Sequence, residues 1–169
     1  EIRFETDDHT GLALRGEEVD HVSTRKLEGG IVRACTRGGW GRATFDSLDD
    51  LDHQVREACE AADLMGRVTT RLAEPSGPED AEIVVAMKRD FRGVGIDEKL
   101  ALATSYNDTL RETDPAVAST RVAYSETFRT VHFASTHGVT YTEERPRVIL
   151  HLVAIARDGS NIQRAHDGV

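Results

Sequence analysis

The sequence predicts an α+β protein: antiparallel β-meanders, each packed with an amphipathic helix, in two related units that could share a sheet. Three observations carry this. Gly29–Phe45 is an alternating apolar run with paired glycines at each end, the mark of a strand leading into a tight hairpin. Two stretches, 48–65 and 100–110, repeat apolar residues at steps of three and four, the spacing of one helical face. The last third echoes the first at a shift of 120 positions.

In chain order, Ile2 and Phe4, then Leu12 and Leu14, predict two short strands around a polar turn at Asp7–Gly11. Gly16-Glu17-Glu18 turns again, and Val19, His21 and Ser23 alternate with Asp20 and Val22. Gly29-Gly30 reads as a turn at the entrance of the next strand. There Ile31, Arg33, Cys35 and Arg37 share one side, and Val32, Ala34 and Thr36 the other. Gly38-Gly39 supplies the hairpin and Trp40 opens the return strand. Ser47 reads as a helix N-cap, with Asp49 and Asp50 at the positive end of the dipole. Leu48, Leu51, Val55, Ala58, Ala62 and Met65 form the buried stripe of a helix lying across the meander.

The stretch Glu74–Asp80 holds two of the four prolines and no large apolar residue. It predicts a linker at 74–81 between a first unit, 1–73, and a second, 82–169. Ile83–Met87 reads as a short apolar strand. Asp97 is expected to cap a second helix on Leu100, Ala103, Tyr106 and Leu110, ended by Asp114-Pro115. Val148–Ala156 is a long strand running into the hairpin dipeptide Asp158-Gly159. In the 120-residue echo the identities are Val19/Val139, Arg25/Arg145, Ala34/Ala154, Arg37/Arg157 and Gly39/Gly159. They scarcely exceed chance, so matching alternation and turn positions carry the argument, against two meanders that merely need strands of similar length.

With 169 residues, 38% apolar and 30% charged, the chain can bury a core as one domain or two small ones. Thirty acidic residues against 21 basic give a net charge of −9, a surface that repels phosphate backbones and argues against nucleic-acid binding. Lysine occurs only at 26, 88 and 99, consistent with GC-rich coding or a salty habitat. Two cysteines, Cys35 and Cys59, with no signal peptide and no membrane-spanning run, point to the cytoplasm and no membrane partner. Each cysteine reads as a small buried apolar residue. The chain opens at Glu1, without methionine and already in a strand-like run, so a preceding segment is expected.

Gly29, Val32 and Arg33, followed by Trp40, Gly41 and Ala43, resemble the G-x-x-V-R and W-G-F-A signature of the TldD/PmbA family, also called modulators of DNA gyrase. Arg42 stands where that family usually has an aromatic. Asp97-Glu98-Lys99-Leu100, Ser135-Thr136-His137-Gly138 and Asp158-Gly159 extend the resemblance over nearly the whole chain; His137 replaces a residue that is usually small or acidic. The resemblance implies a zinc metallopeptidase acting on unfolded or precursor peptides, as a homo- or heterodimer of related subunits. It also implies that the zinc sits on an H-E-x-x-x-H helix in a later domain, in a metal-bearing type that has a metal-free partner type. This chain would then be the non-catalytic N-terminal portion, forming part of the substrate chamber and the subunit interface.

The residues agree with no catalytic or metal role here. None of the seven histidines (9, 21, 53, 132, 137, 151 and 166) is followed by glutamate, and His132 and His137 are five apart beside a turn, out of step with a helical metal pair. No G-x-S-x-G and no G-K-[ST] is present, and Asp49-Asp50-Asp52 lacks the glycine and terminal glutamate of a calcium loop. Trp40 either packs between sheet and helix or lines a peptide groove. Arg33 and Arg37 either pair with neighbouring acids or hold a substrate carboxylate. With His137 they are the candidate groove residues. The competing expectation is a stand-alone α+β binding or assembly module with no peptidase attached.

Overall fold

The chain folds in the order β1 (Ile2–Arg15), β2 (Glu18–Thr36), β3 (Gly39–Phe45), α1 (Leu51–Met65), β4 (Glu79–Ile83), α2 (Ile96–Glu112), β5 (Val117–Ala134), β6 (Val139–Asp158) and β7 (Asn161–Gly168). This computed structural model describes residues 1–66, 70, 72–73 and 79–168. The strands pair in the order β3-β2-β1-β5-β6-β4, with β7 also on β6. The architecture is α+β. Mostly antiparallel pairing is expected where strands follow one another through two-residue turns. Two compact units separate: Glu1–Asp7, Lys26–Val85 and Arg129–Arg145 make the first, and Asp8–Arg25, Ala86–Phe128 and Pro146–Val169 the second. Among the described residues no helix is long and apolar enough to cross a membrane.

In the first unit β2 and β3 form the expected hairpin, in register from Gly30↔Phe45 to Thr36↔Gly39. Its turn is Arg37-Gly38, both at positive φ (48° and 80°), the primed geometry that matches strand twist. Gly39 is therefore the first strand residue. Along β3 the buried residues Gly39, Gly41, Ala43 and Phe45 alternate with exposed Trp40, Arg42 and Thr44. The buried side lies under α1. A Cβ on Gly41 would sit 2.0 Å from the Ala58 carbonyl, and one on Gly39 2.2 Å from that of Ala62. The helix backbone rests directly on the strand, and only glycine permits that approach. Val32, Ala43, Phe45 and Ala58 are the core, with Ile2, Phe4 and Val55 against them; the Phe4 and Phe45 rings stack at 6.0 Å. Ser47 caps the 3-10 turn ahead of α1, accepting from the Asp49 amide at 3.2 Å.

In the second unit Leu12, Leu14, Val122 and Tyr124 pack around Ala103 of α2, with Leu100, Leu110, Leu150 and Leu152 at the margin. The rest of the buried α2 face is polar: Lys99 and Asn107 are buried with Ala103. Lys99 Nζ donates to Glu126 Oε1 at 2.5 Å, and Tyr124 donates its hydroxyl to Glu126 Oε2 at 2.5 Å. Burial, and then the Glu126 carboxylate, push the Tyr124 phenol well above its ordinary range. Asn107 donates to the Gly16 carbonyl at 2.6 Å and accepts from Thr120 Oγ1 at 2.7 Å. Tyr106, expected in the core, is 42% exposed, because the helix turns its 99/103/107 side inward.

Several expected boundaries move. The polar residues Asp7–Gly11 form no turn, and β1 is continuous through them. Their side chains find cross-strand partners: Arg129 Nη2 lies 2.8 Å from Asp7 Oδ2, and His9 Nδ1 is 3.2 Å from Thr127 Oγ1. Gly29-Gly30 lies inside β2 instead of at its entrance. A Cβ on Gly30 would fall 2.3 Å from Phe45 Cζ, so this glycine makes room for the ring. The fourth strand takes Glu79–Ile83 and leaves out Val84–Met87, because the ladder with Val139–Glu143 begins at Glu79. Of the expected linker, 74–78 lies outside the described residues and Glu79–Ala81 belongs to β4. Gly95, not Asp97, is the N-cap of α2; Asp97 and Glu98 lie in its first turn, and Arg89 grips Glu98 with two hydrogen bonds at 2.6 and 2.9 Å. The long-long-short run of β1–β3 recurs in β5–β7, with two-residue turns at 37–38 and 159–160. That spacing is 122, against the 120 of the sequence echo.

Candidate functional site

The first unit contains a groove of about 480 Å³ where the end of β2, the start of β3 and α1 meet the Ser135–Gly138 turn. Trp40, Arg33 and His137 line it, as do Val55 and Cys59 of α1. The hairpin register explains how β2 and β3 contribute. Cys35 faces Trp40 and Arg33 faces Arg42, so these four share the side turned away from the α1 core. Trp40 is 43% exposed, which leaves much of the indole uncovered. The Arg33 guanidinium carbon lies 5.3 Å from the Trp40 ring centroid, within cation–π range, and Arg33 Nε is 3.1 Å from Glu1 Oε1.

Arg37 does not line the groove. It turns to Asp63 near the C-terminus of α1, Nη2 to Oδ1 at 3.2 Å. Thr36 Oγ1 donates to the same oxygen at 2.6 Å; this bond first, and then Arg37, hold the Asp63 carboxyl below its ordinary value. His137 sits in a turn whose amide donates to Ser135 Oγ at 3.2 Å. The sequence reading missed two members. Cys35 and Cys59 were expected to be buried apolar packing; both are only partly buried, both are free, and both line this groove. The signal was available for Cys35, which shares its strand side with Arg33, but nothing local could bring Cys59 of the helix to the same place.

A second cavity of about 360 Å³ in this unit has a different character. Arg3, Glu5, Asp7 and Arg129 form its charged lining, with Arg129 bridging Glu5 at 3.4 Å and Asp7 at 2.8 Å. Arg3 Nε lies 2.6 Å from Glu5 Oε1, while Asp7 Oδ1 is buried without a hydrogen-bond partner among the described residues. The Trp40 groove combines an open indole, two thiols and apolar walls. Such a surface can hold an extended segment by burying apolar area. Among the described residues no three His, Cys, Asp or Glu side chains come together as metal ligands.

The sequence matches family models described as PmbA/TldA metallopeptidase domain 1, over residues 1–63, and PmbA/TldA metallopeptidase central domain, over residues 89–169. It is 33% identical to a metalloprotease of Synechocystis sp. over 96% of this chain and 35% of the relative. It is 26% identical to a metalloprotease of Methanothermobacter thermautotrophicus over 98% of this chain and 36% of the relative. The chain thus spans about a third of the length of these curated relatives. Among solved structures, a candidate modulator of DNA gyrase from Thermotoga maritima superposes with a TM-score of 0.81 at 19% identity, covering 99% of this chain and 38% of that one. TldE from Thermococcus kodakarensis superposes at 0.65 with 23% identity, covering 99% and 38%. At these identities the two structures support the fold alone.

Proposed function

This chain belongs to the PmbA/TldD metallopeptidase family, and from that premise we propose that it is a non-catalytic N-terminal region that holds peptide for cleavage elsewhere in the protein. The observation that carries the reading is the groove along the end of β2, lined also by Trp40 of β3, the terminal strand of the sheet order. A terminal strand offers unpaired backbone groups. An unfolded or precursor peptide can add to that edge as a further strand while a side chain settles on the exposed indole. Such recognition reads backbone and suits substrates without a fixed sequence.

In this reading Arg33 orients Trp40, His137 borders the bound segment, and Arg37 braces the turn through Asp63. The zinc belongs to a segment outside this chain, where it would polarise a water for attack on the peptide carbonyl. The two α+β halves, 1–73 and 82–169, are read as related units that contribute to one substrate chamber and to a homo- or heterodimer interface in the cytoplasm.

The test is a fluorescence-anisotropy titration of the intact protein with a labelled unfolded peptide. Trp40→Ala is expected to weaken binding about 10-fold or more, the loss typical of an aromatic anchor. Methylating alternate backbone amides of the peptide is expected to weaken it similarly. Ile162→Ala, exposed in the second unit, should leave binding unchanged. Undiminished affinity for both Trp40→Ala and the methylated peptide would reject the reading.

A further inference from the structure

In the second unit Arg15, Arg121 and Arg164 line a cavity of about 270 Å³, together with Ser119, Val153 and Ile155. Strand parity fixes the side of the sheet. Leu14, Val122 and Leu152 pack with Ala103 of α2, so their alternating neighbours Arg15, Arg121 and Val153 face the other way. The Gly16 amide donates to the Thr120 carbonyl at 3.0 Å, and His9 meets Thr127. The neighbours β1 and β5 therefore run antiparallel, with Arg15 opposite Arg121. Arg164 enters from β7, opposite Ile155.

Like charges directly opposite on a sheet repel. Little here offsets that. Arg15 reaches Asp20 only at 3.8 Å, and Arg121 and Arg164 form no ion pair among the described residues. The chain has 30 acidic residues, yet no odd position of 9–15, 119–127 or 147–157 holds one. This side of the unit thus gathers cations in a chain whose net charge is −9.

We propose that Arg15, Arg121 and Arg164 form a binding site for a small ligand that carries a phosphate group. The planar guanidinium forks match phosphate oxygens bidentately, and the Ser119 hydroxyl adds a donor. Two arginines without acidic partners balance a phosphate dianion, whereas a single carboxylate would leave one of them unmatched. Val153 and Ile155 offer apolar surface to a carrier group. The cavity lies just under the roughly 300 Å³ at which small-molecule sites begin, so the ligand is small. Duplex nucleic acid needs cations along many phosphates, and the net charge opposes it. The assignment stands on this cavity alone and does not use the peptide-holding reading.

The experiment titrates the intact protein calorimetrically with inorganic phosphate, then with phenyl phosphate and with acetate. Saturable phosphate binding is expected, weakening as sodium chloride is added, with acetate about 10-fold weaker or more. Arg121→Gln and Arg164→Gln should each lower phosphate affinity about 10-fold or more. Arg56→Gln removes the same charge from an exposed site on α1 outside the cavity, and should change affinity by no more than about twofold. Phosphate should also raise the unfolding midpoint of the wild type but not of Arg121→Gln. Without phosphate that variant should be no less stable than the wild type, because a repulsion has been removed. If Arg121→Gln fails to fold, Arg164→Gln on exposed β7 carries the same readouts. Phenyl phosphate binding as well as phosphate supports a site for an esterified ligand, and phosphate binding alone supports a site for the free ion. Absence of saturable phosphate binding, or an equal loss in Arg56→Gln, overturns the proposal. Duplex DNA that binds more tightly than either phosphate, and is lost in the same variants, overturns the small-ligand assignment.

Discussion

The two helices are held to their sheets by opposite means. In the first unit α1 meets β3 through residues with little or no side chain: Ala58 and Ala62 on the helix, and Gly39 and Gly41 on the strand, with backbone nearly touching backbone. In the second unit α2 meets β5 through long polar side chains: Lys99 reaches Glu126 and Tyr124, and Asn107 reaches Thr120 and Gly16. Close contact between small residues gains dispersion energy and tolerates no added atom. A buried polar network gains less, because desolvation offsets the attraction, but it penalises any shift of register that would leave a charge unpaired. The difference teaches that burial depth does not reveal which kind of joint holds a helix, and mutations separate the two.

The largest effect is expected at the polar joint. Lys99→Met should cost about 3–5 kcal/mol in denaturant unfolding, the usual penalty for stranding one buried charge. Replacing the whole network (Lys99→Met, Glu126→Leu and Tyr124→Phe together) should recover most of that loss. If the single variant loses under 1 kcal/mol, the contrast with α1 collapses. Gly41→Ala comes next, at about 1–3 kcal/mol, since the Ala58 carbonyl stands 2.0 Å from the new methyl and the helix must lift. An Asn107→Ala change should cost about 1–3 kcal/mol through the unpaired Gly16 carbonyl and Thr120 hydroxyl. Its unfolding should be read beside that of Ser105→Ala, on the same helix but exposed, which should stay near wild type.

The smallest effect concerns pH. Thr36 and Arg37 lower the Asp63 carboxyl from its ordinary 3.8, so the folded state favours its charged form. The added stability is fully present above 3.8 and is lost as pH falls through the lower folded value. Side-chain carbonyl NMR should therefore place the Asp63 midpoint below 3.8, and Thr36→Ala should move it upward. Being exposed, this group should alter the unfolding midpoint little.

Much of the polypeptide's local structure was legible without coordinates. Alternation at Ile31–Thr36, the turn glycine at 38, the Ser47 cap and the Leu51–Ala62 part of the helical stripe each arise from interactions within a few residues, where backbone geometry and side-chain period suffice, whereas Leu48 and Met65 at the ends of that stripe are exposed. The W-G motif located the hairpin, and the family followed from it. What failed was anything decided by a partner distant in sequence. Asp7 and His9 read as a turn because their partners Arg129 and Thr127 lie 122 and 118 residues away. Gly29-Gly30 read as another turn because the Phe45 ring that requires Gly30 arrives from β3.

The groove divides along the same line. Sequence could nominate Trp40, Arg33 and His137 from strand parity and motif position, and it could offer Arg37 with equal justification. Only the packed chain turned Arg37 toward Asp63 and brought Cys59 of α1 to the cavity that Cys35 lines. The sequence by itself thus determined periodicity, the turn glycines at 38 and 159, and the family, because these depend on steric and hydrogen-bonding rules that act over one or two turns of chain. Tertiary structure alone decided the polar face of α2 and the membership of the groove. A buried lysine is stable only beside a particular neighbour, and that neighbour is chosen by the fold of the whole chain.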